Sequence, residues 1–176
     1  QSGIRDRTTP GRLWKTRGVD AAGWDERYAA SELVWSAEPN RFVAEVCADL
    51  SPGRALDLAA GEGRNAIWLA QRGWTVTATD FSRVGLEKGR QIADRAGVAD
   101  RIAWVVADAT RTPWPDEHDL VVVAYLQLVE EERRSAHERA FAALQHGGIL
   151  VVVAHDSTNL TEGTGGPQDP SVLMTA

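Results

Sequence analysis

The sequence predicts an α/β fold: a doubly wound, mostly parallel Rossmann-like sheet with helices on both faces. Apolar runs of strand length alternate with helix-length segments over short connections, and the runs lie at residues 55–58, 74–80, 102–107, 119–125 and 149–154. The runs 119–125 and 149–154 are apolar at nearly every position, as in strands buried on both faces of a parallel sheet. Ligands of such sheets bind beyond the carboxyl ends of the strands, so the site is expected there.

The segments between these strands have the end signals of helices. Asn40 and Ser82 are placed as N-caps, and Gly73 and Gly97 follow the last periodic residues as C-terminal glycines. The predicted helices cover residues 41–50, 64–72, 83–96 and 130–144, after an earlier helical stretch at 24–35.

Composition describes one globular domain. The chain has 176 residues, 43% of them hydrophobic, and a formal net charge of -6. This acidic balance predicts neither a nucleic-acid partner nor a membrane partner, because it gives no general attraction to phosphate groups. No apolar run has membrane-spanning length and no signal peptide opens the chain, so we expect a cytoplasmic protein. The single cysteine, Cys47, has apolar neighbours at helical spacing and is interpreted as core.

Three parts are predicted along the chain. Residues 1–22 are rich in Arg and Lys without an apolar period, which indicates a flexible basic arm or, in part, a segment added for expression. Residues 23–155 form the ligand-binding domain. Residues 156–176, rich in Gly, Thr, Asn and Pro, are predicted to be a loop-like tail.

The most informative stretch is residues 55–65, a buried strand that breaks into a glycine turn and then a helix. Gly61 and Gly63 allow the backbone to approach a ligand closely, and the helix after them presents free N–H groups to the turn. The next strand ends at Asp80, an acid suited to a ribose diol. Asp57 inside the first strand and Asp108 after the third add two carboxylates, so the sequence predicts a nucleoside site.

A dinucleotide ligand is the first alternative. Residues 61–66 fit the pattern G-x-G-x-x-A and are followed by an acid at Asp80, which leaves an NAD site formally open. The carboxylates of Asp57, Asp80 and Asp108 argue against it, because clustered negative charges repel a pyrophosphate and favour a cationic nucleoside.

An aromatic stripe precedes the sheet. Trp24 and Tyr28 are one helical turn apart, and Trp35 is two turns beyond Tyr28. Two interpretations stay open for this stripe: packing of a short helix on the sheet, or an aromatic lid over the ligand.

At this point the residues resemble the class I S-adenosylmethionine-dependent methyltransferases. Residues 56–63, Leu-Asp-Leu-Ala-Ala-Gly-Glu-Gly, are similar to that family's first motif, Asp80 to its ribose acid and residues 108–109 to its adenine-contacting pair. More narrowly, residues 24–28, 61–65 and 125–128 resemble the small tellurite-resistance and thiopurine-type methyltransferases. The sequence departs from the family at Ala59, where glycine is usual, so the turn must be one that alanine can adopt.

The resemblance implies S-adenosyl-L-methionine as cofactor and S-adenosyl-L-homocysteine as product. It implies that the glycines pack against the methionine part, that the three acids contact its amino group, the ribose and the adenine edge in turn, and that Tyr125 flanks the sulfonium. Each acid has a plain capping or surface role as its alternative, and Arg64 and Asn65 are equally well explained as first-turn helix residues. The implied cofactor-binding residues are Trp24, Tyr28, Trp35, Asp57, Ala59, Ala60, Gly61, Gly63, Arg64, Asn65, Asp80, Phe81, Ser82, Asp108, Ala109 and Tyr125.

Methyl transfer from a sulfonium is an in-line displacement with a good leaving group, so orientation supplies most of the acceleration. A thiolate, selenide or tellurium oxyanion acceptor needs no base. For a hydroxyl acceptor, His155 or Asp156 is a candidate base and Gln127 a candidate orienter, beside Tyr125. The scattered histidines and acids lack metal-ligand spacing, so no catalytic metal is predicted.

Three functions are weighed: a methyltransferase acting on a small-molecule acceptor, an NAD-linked oxidoreductase, and a non-catalytic nucleoside-binding module. The first is favoured by the resemblance. The apolar run 149–154 also looks like an internal strand although only loop-like residues come after it. The resembled family continues there into two further strands, so we expect a fragment of a longer protein, or an exposed sheet edge covered by the tail or by a second copy in a homodimer.

Overall fold

The structure, a computed structural model, describes residues 5–6, 21–34, 36–163 and 166–175. Its strands are β1 (Arg5–Asp6), β2 (Arg54–Leu58), β3 (Thr75–Asp80), β4 (Ile102–Val106), β5 (His118–Ala124) and β6 (Leu144–Val153). They form one sheet in the order β1-β4-β3-β2-β5-β6, and every pairing is parallel. The predicted doubly wound α/β fold is therefore confirmed.

The helices cover both faces of the sheet. They are α1 (Ala21–Ala29), α2 (Arg41–Cys47), α3 (Arg64–Gln71), α4 (Arg83–Arg95) and α5 (Glu130–Ala142). Side chains of α2, α3 and α4 share one core cluster with the sheet, whereas α5 packs with the opposite face. Successive strand residues alternate between the two clusters, so Ala55 faces α3 and Leu56 faces α5. Cys47 is 1% exposed in the first cluster, as predicted.

The last helix and strand have different bounds from those predicted. The helix ends at Ala142 instead of residue 144, and β6 begins at Leu144 instead of residue 149. The reason is His118, whose backbone N–H and ring Nδ1 lie 3.2 and 3.0 Å from the carbonyl oxygen of Ala143 and whose strand position pairs with Leu144. This early pairing ends the helix, and a register shift between His118 and Leu120 accommodates the extra residues.

The prediction of a helical stripe from residue 24 to 35 is wrong in its length. The first helix ends at Ala29, and Trp35 lies outside the described residues. The ammonium of Lys88 binds the carbonyl oxygens of Tyr28 and Ser31 at 2.8 and 2.6 Å, so it caps the end of α1 and the turn behind it.

Two predictions concern the segments on either side of the domain, and the structure describes each of these segments only in part. Within the arm predicted to be flexible, Arg5–Asp6 forms a strand paired with β4, while residues 7–20 lie outside the described residues. The tail contains two short 3₁₀ turns, Ser157–Leu160 and Pro170–Val172, and a bridge between Asp156 and Met174.

The edge strand opposite β1 is β6. Its residues Ile149 and Val152 are 39% and 37% exposed.

Candidate active site

A glycine turn, residues 59–63, connects β2 to α3 at the carboxyl edge of the sheet. Three of its residues have left-handed backbones, with φ of 61° at Ala59, 58° at Gly61 and 74° at Gly63. Alanine thus adopts this turn at position 59, as the sequence requires, and does so with a left-handed backbone. The turn is tied to β3, because the N–H of Ala60 donates to the carbonyl of Thr79 at 2.8 Å.

Trp104 of β4 explains why two glycines are needed here. A Cβ on Gly63 would lie 2.4 Å from Cη2 of Trp104, and a Cβ on Gly89 of α4 would lie 2.7 Å from the same atom and from the carbonyl oxygen of Glu62. The indole thus packs between the glycine turn and α4, and both backbones approach it too closely for any side chain.

Asp57 lies inside β2 and is 1% exposed. The N-cap of α3 is Gly63, which offers no side-chain acceptor, and Asp57 takes that role by accepting the N–H of Ala66 at 3.0 Å. The pKa of Asp57 is raised to about 7, chiefly by burial and in smaller part by the charge of Asp80, against the lowering by the Ala66 hydrogen bond. The alternative role as a helix cap is therefore present, and contact with a cofactor amino group stays a prediction.

Asp80 ends β3 and joins the turn to α4. Its two carboxylate oxygens accept the N–H groups of Gly61 at 2.9 Å and of Ser82 at 2.8 Å. The pKa of this carboxyl is raised to about 6, chiefly by burial and in smaller part by the charge of Asp25, against the lowering by the backbone hydrogen bonds. An ionised carboxylate has about four acceptor positions, so the group is still able to accept hydroxyl donors beside its backbone donors.

Asp108 follows β4 and completes a row of acids. One oxygen accepts from the backbone N–H and the hydroxyl of Thr110, both at 2.7 Å, and the other lies 3.3 Å from Nε of Arg111. Ala109 beside it packs against the apolar cluster of the α5 face. We call Asp57, Asp80 and Asp108, at the ends of the adjacent strands β2, β3 and β4, the acid edge.

The other half of the carboxyl edge is aromatic. Tyr125 follows β5 with a left-handed φ of 56°, and its ring stacks on His155, which follows β6, with 4.6 Å between ring centroids and 23° between planes. We call this pair the aromatic edge. Gln127, the third catalytic candidate, is exposed and lies two residues beyond Tyr125.

The predicted aromatic residues of α1 lie next to each other, and the helix packs on α4. The ring centroids of Trp24 and Tyr28 are 5.5 Å apart, and Tyr28 is 3% exposed because it packs against Gly85 of α4. Asp25 of the same helix accepts the hydroxyl of Ser82 and, at 3.2 Å, the N–H of Val84. Ser82 itself caps α4 through the N–H of Gly85, as predicted, and half-buried Phe81 precedes it.

Arg64 and Asn65 begin α3 and contact the chain between α1 and α2. Nη1 of Arg64 lies 3.3 Å from the hydroxyl oxygen of Ser36. The side-chain oxygen of buried Asn65 accepts the N–H of Asn40 at 2.8 Å. Both residues therefore have a structural contact, and their contact with a cofactor stays a prediction.

Sequence reasoning assigned no role to Glu62 or Lys88. Glu62 is 3% exposed, its carboxylate lies 2.8 Å from the ammonium of Lys88, and it accepts the N–H of Val34 at 3.0 Å. The sequence signals were Gly85 and Gly89, two glycines inside a helix pattern, which indicate close packing of α4 against its neighbours. Nothing local connects residues 62 and 88.

Membrane and metal features are missing from the described part of the chain. None of its helices is both long enough and apolar enough to cross a membrane. Within the same residues, no three His, Cys, Asp or Glu side chains come together as a metal-binding group.

Comparison with known proteins identifies the family. A family profile described as "Methyltransferase domain" matches residues 55–148, which is more than half of the chain. The match begins in β2, ahead of the glycine turn, and ends in β6. The chain therefore belongs to the methyltransferase domain family, and its fold is that of the class I methyltransferases.

Two curated relatives illustrate the similarity. A demethylmenaquinone methyltransferase of Clavibacter sepedonicus is 37% identical over 124 residues, which cover 69% of this chain and 47% of that protein. A tRNA 5-carboxymethoxyuridine methyltransferase of Escherichia coli K12 is 31% identical over 124 residues, covering 65% of this chain and 46% of that protein. The chain thus spans about half the length of these curated relatives.

A solved methyltransferase structure has a similar fold. The glycopeptide N-methyltransferase MtfA complexed with S-adenosyl-L-methionine superposes with a TM-score of 0.59 at 27% identity, over 66% of this chain and 50% of that one.

Proposed function

We propose that this chain binds S-adenosyl-L-methionine at the acid edge and directs methyl transfer to a small-molecule acceptor held at the aromatic edge. The observation that carries the proposal is the row of carboxylates at the ends of three adjacent parallel strands, beside a glycine turn with a left-handed backbone. Family membership supports the same function.

The charge of the acid edge suits a cationic ligand. Burial raises the pKa of Asp57 to about 7 and that of Asp80 to about 6, because the charged forms lack solvent. A positive group nearby offsets this penalty, whereas the pyrophosphate of NAD adds repulsion. Sulfonium and ammonium groups therefore fit the acid edge, and the oxidoreductase alternative is disfavoured.

The described residues supply a donor or acceptor for each part of that ligand. The turn with Gly61 and Gly63 brings the backbone next to the methionine portion, and Asp57 lies behind it. Asp80 has lone pairs for the ribose hydroxyls in addition to its two backbone donors. Asp108 and Ala109 lie on the adenine side.

When bound, S-adenosyl-L-methionine supplies an electrophilic methyl group on a good leaving group. The protein then contributes by holding the acceptor in line with that methyl group and by excluding water. Orientation of this kind lowers the reaction barrier by several kcal/mol, roughly as much as in well-oriented intramolecular reactions. The stacked rings of Tyr125 and His155 offer a flat apolar wall for an acceptor. For a hydroxyl acceptor, the base that we propose is His155.

The acceptor class is argued from charge and from the relatives. A net charge of -6 disfavours a nucleic-acid acceptor. The relatives differ in acceptor, since one is named for demethylmenaquinone and another for a tRNA uridine. We propose a small planar molecule, and the motif over residues 61–65 supports a subfamily near the small tellurite-resistance and thiopurine-type methyltransferases.

Two measurements test the proposal. Calorimetric titration should give binding of S-adenosylmethionine and S-adenosylhomocysteine and none of NAD. A labelled methyl donor incubated with a panel of quinol, phenol, thiol and tRNA acceptors should label a small molecule. Binding without transfer to any acceptor would support the non-catalytic nucleoside-binding module, and labelling of tRNA alone would overturn the small-molecule assignment.

A further inference from the structure

A strap, residues 28–34 and 36–40, leads from the end of α1 to the start of α2. It contacts the turn and the start of α3 in sequence order. Val34 binds Glu62, Ser36 lies near Arg64, and Asn40 binds Asn65. The strap therefore runs along the same segment that the proposed cofactor site is built on.

The first half of the strap is held by Lys88. The three N–H donors of its ammonium match three acceptors: the carboxylate of Glu62 at 2.8 Å and the carbonyl oxygens of Tyr28 and Ser31 at 2.8 and 2.6 Å. Its side chain is 21% exposed and that of Glu62 only 3%. A charge pair shielded in this way is far less screened than one on the surface.

Glu62 connects Lys88 to the second half of the strap. Its two oxygens lie 3.3 and 3.0 Å from the N–H of Val34, while one of them also binds the ammonium. Glu62 is a residue of the glycine turn, between Gly61 and Gly63. The Glu62 carboxylate therefore couples the position of Val34 in the strap to the glycine turn.

We propose that Glu62 and Lys88 are positioning residues, whose ion pair locks the strap onto the glycine turn and thereby sets the affinity for the cofactor. This inference rests on the proposed function. The pair touches the backbone of the strap and turn, so it acts on binding and leaves the methyl-transfer step itself unchanged at saturating cofactor.

The experiment uses Lys88→Met, Glu62→Gln and Lys88→Arg in the full chain. We expect the first two to weaken S-adenosylhomocysteine binding about ten-fold, which is the scale of coupling between linked sites, with kcat at saturating cofactor unchanged. Lys88→Arg keeps the charge and should restore most of the affinity. The double variant should be no weaker than the weaker single variant, because both substitutions break one pair.

Glu87→Gln is the matched control. It breaks the pair between Glu87 and Arg90 on the same helix, where the Nη2 to Oε1 distance is 2.6 Å and the side chains are 42% and 33% exposed. Its affinity should equal that of the wild type. Unchanged affinity in Lys88→Met, or additive effects in the double variant, would overturn the inference.

Hydrogen exchange separates this inference from the proposed function. The Val34 amide should lose protection in Lys88→Met and keep it in Glu87→Gln, whether or not a cofactor is added. A wild type that binds no S-adenosyl compound would overturn the proposed function and the affinity role, while loss of Val34 protection would still support the lock. Retained protection in Lys88→Met would overturn the lock itself.

Discussion

The acid edge and the aromatic edge lie side by side on one sheet, yet they are built in opposite ways. At the acid edge Asp57 and Asp80 are at most 5% exposed, and backbone N–H groups hold both carboxylates. At the aromatic edge Tyr125 and His155 are half-buried and hold each other by ring stacking. The first arrangement is held rigidly, which suits the charged ligand that we propose there, whereas the second is held only by contact between two side chains.

The two edges nevertheless share one backbone device. Ala59 after β2 and Tyr125 after β5 are non-glycine residues with left-handed backbones, at φ of 61° and 56°, and β2 and β5 are neighbours in the sheet. At both points the chain turns sharply off the strand into the site. The two turns differ in the residues that follow: two glycines, Gly61 and Gly63, come after Ala59, whereas mostly apolar residues of which only Gln127 is exposed come after Tyr125.

The largest effect is expected in the glycine turn beside the acid edge, from Gly63→Ala. The new Cβ would lie 2.4 Å from Trp104 at a φ of 74°, so overpacking adds to backbone strain. Together these should lower the free energy of unfolding by about 3 kcal/mol. Gly97→Ala is the control, because it has nearly the same φ of 72° with nothing within 4 Å and should cost only about 1 kcal/mol. Equal losses in urea unfolding would mean that Trp104 does not determine the turn.

The aromatic edge should respond in catalysis instead. His155→Ala removes the stacking partner of Tyr125 and the candidate base, so kcat/KM for the acceptor should fall about ten-fold or more. The cofactor Kd should stay within about two-fold, since the acid edge is untouched. His146→Ala, an exposed histidine of β6, should change neither quantity. A His155→Ala variant that loses cofactor affinity and keeps turnover would reverse the assignment of the two edges.

Stability of the acid edge should depend on pH through Asp57. Burial raises its pKa from 3.8 to about 7, so its contribution to stability is largest below about pH 4 and falls as pH rises to about 7. Asp57→Asn removes the charge while keeping an oxygen for the Ala66 N–H. The gain in melting temperature over the wild type should therefore be larger at pH 8 than at pH 5.

Asp100→Asn, at an exposed carboxylate, is the control for that measurement. Its melting temperature should differ from that of the wild type by the same amount at pH 8 and at pH 5. If Asp57→Asn behaves like Asp100→Asn, the buried charge of Asp57 does not measurably lower the stability of the fold.

The smallest effect concerns the shared backbone device. Ala59→Gly relieves the left-handed strain, partly offset by the added freedom of the unfolded chain, and should stabilise the fold by about 0.5 to 1 kcal/mol. Ala60→Gly next to it has no positive φ to relieve and should destabilise by a similar amount. Calorimetric melting of the pair should thus move in opposite directions, and a shift of the same sign in both would argue against strain at Ala59.

The sequence predicted the fold and the acid edge because both depend on local patterns. Apolar runs, caps such as Ser82 and strand-end acids are visible within a few residues, and parallel strands bring their ends together whatever the intervening sequence. The end of α1 and the start of β6 were predicted wrongly, since Lys88 and His118 decide them from a distance. Glu62 escaped assignment for the same reason: its partner is on another element.

The acid edge is the site that we propose for the cofactor. This assignment is tested most directly by titrating S-adenosylhomocysteine into the wild type and into Asp80→Asn. Asparagine keeps one oxygen, which can accept only one of the two backbone N–H groups of Gly61 and Ser82, and it removes the charge and the other acceptor. Affinity should therefore fall roughly 10- to 100-fold, the scale of lost charge-assisted hydrogen bonds, while thermal unfolding stays cooperative. An Asp80→Asn variant that folds and binds S-adenosylhomocysteine as tightly as the wild type would contradict the account.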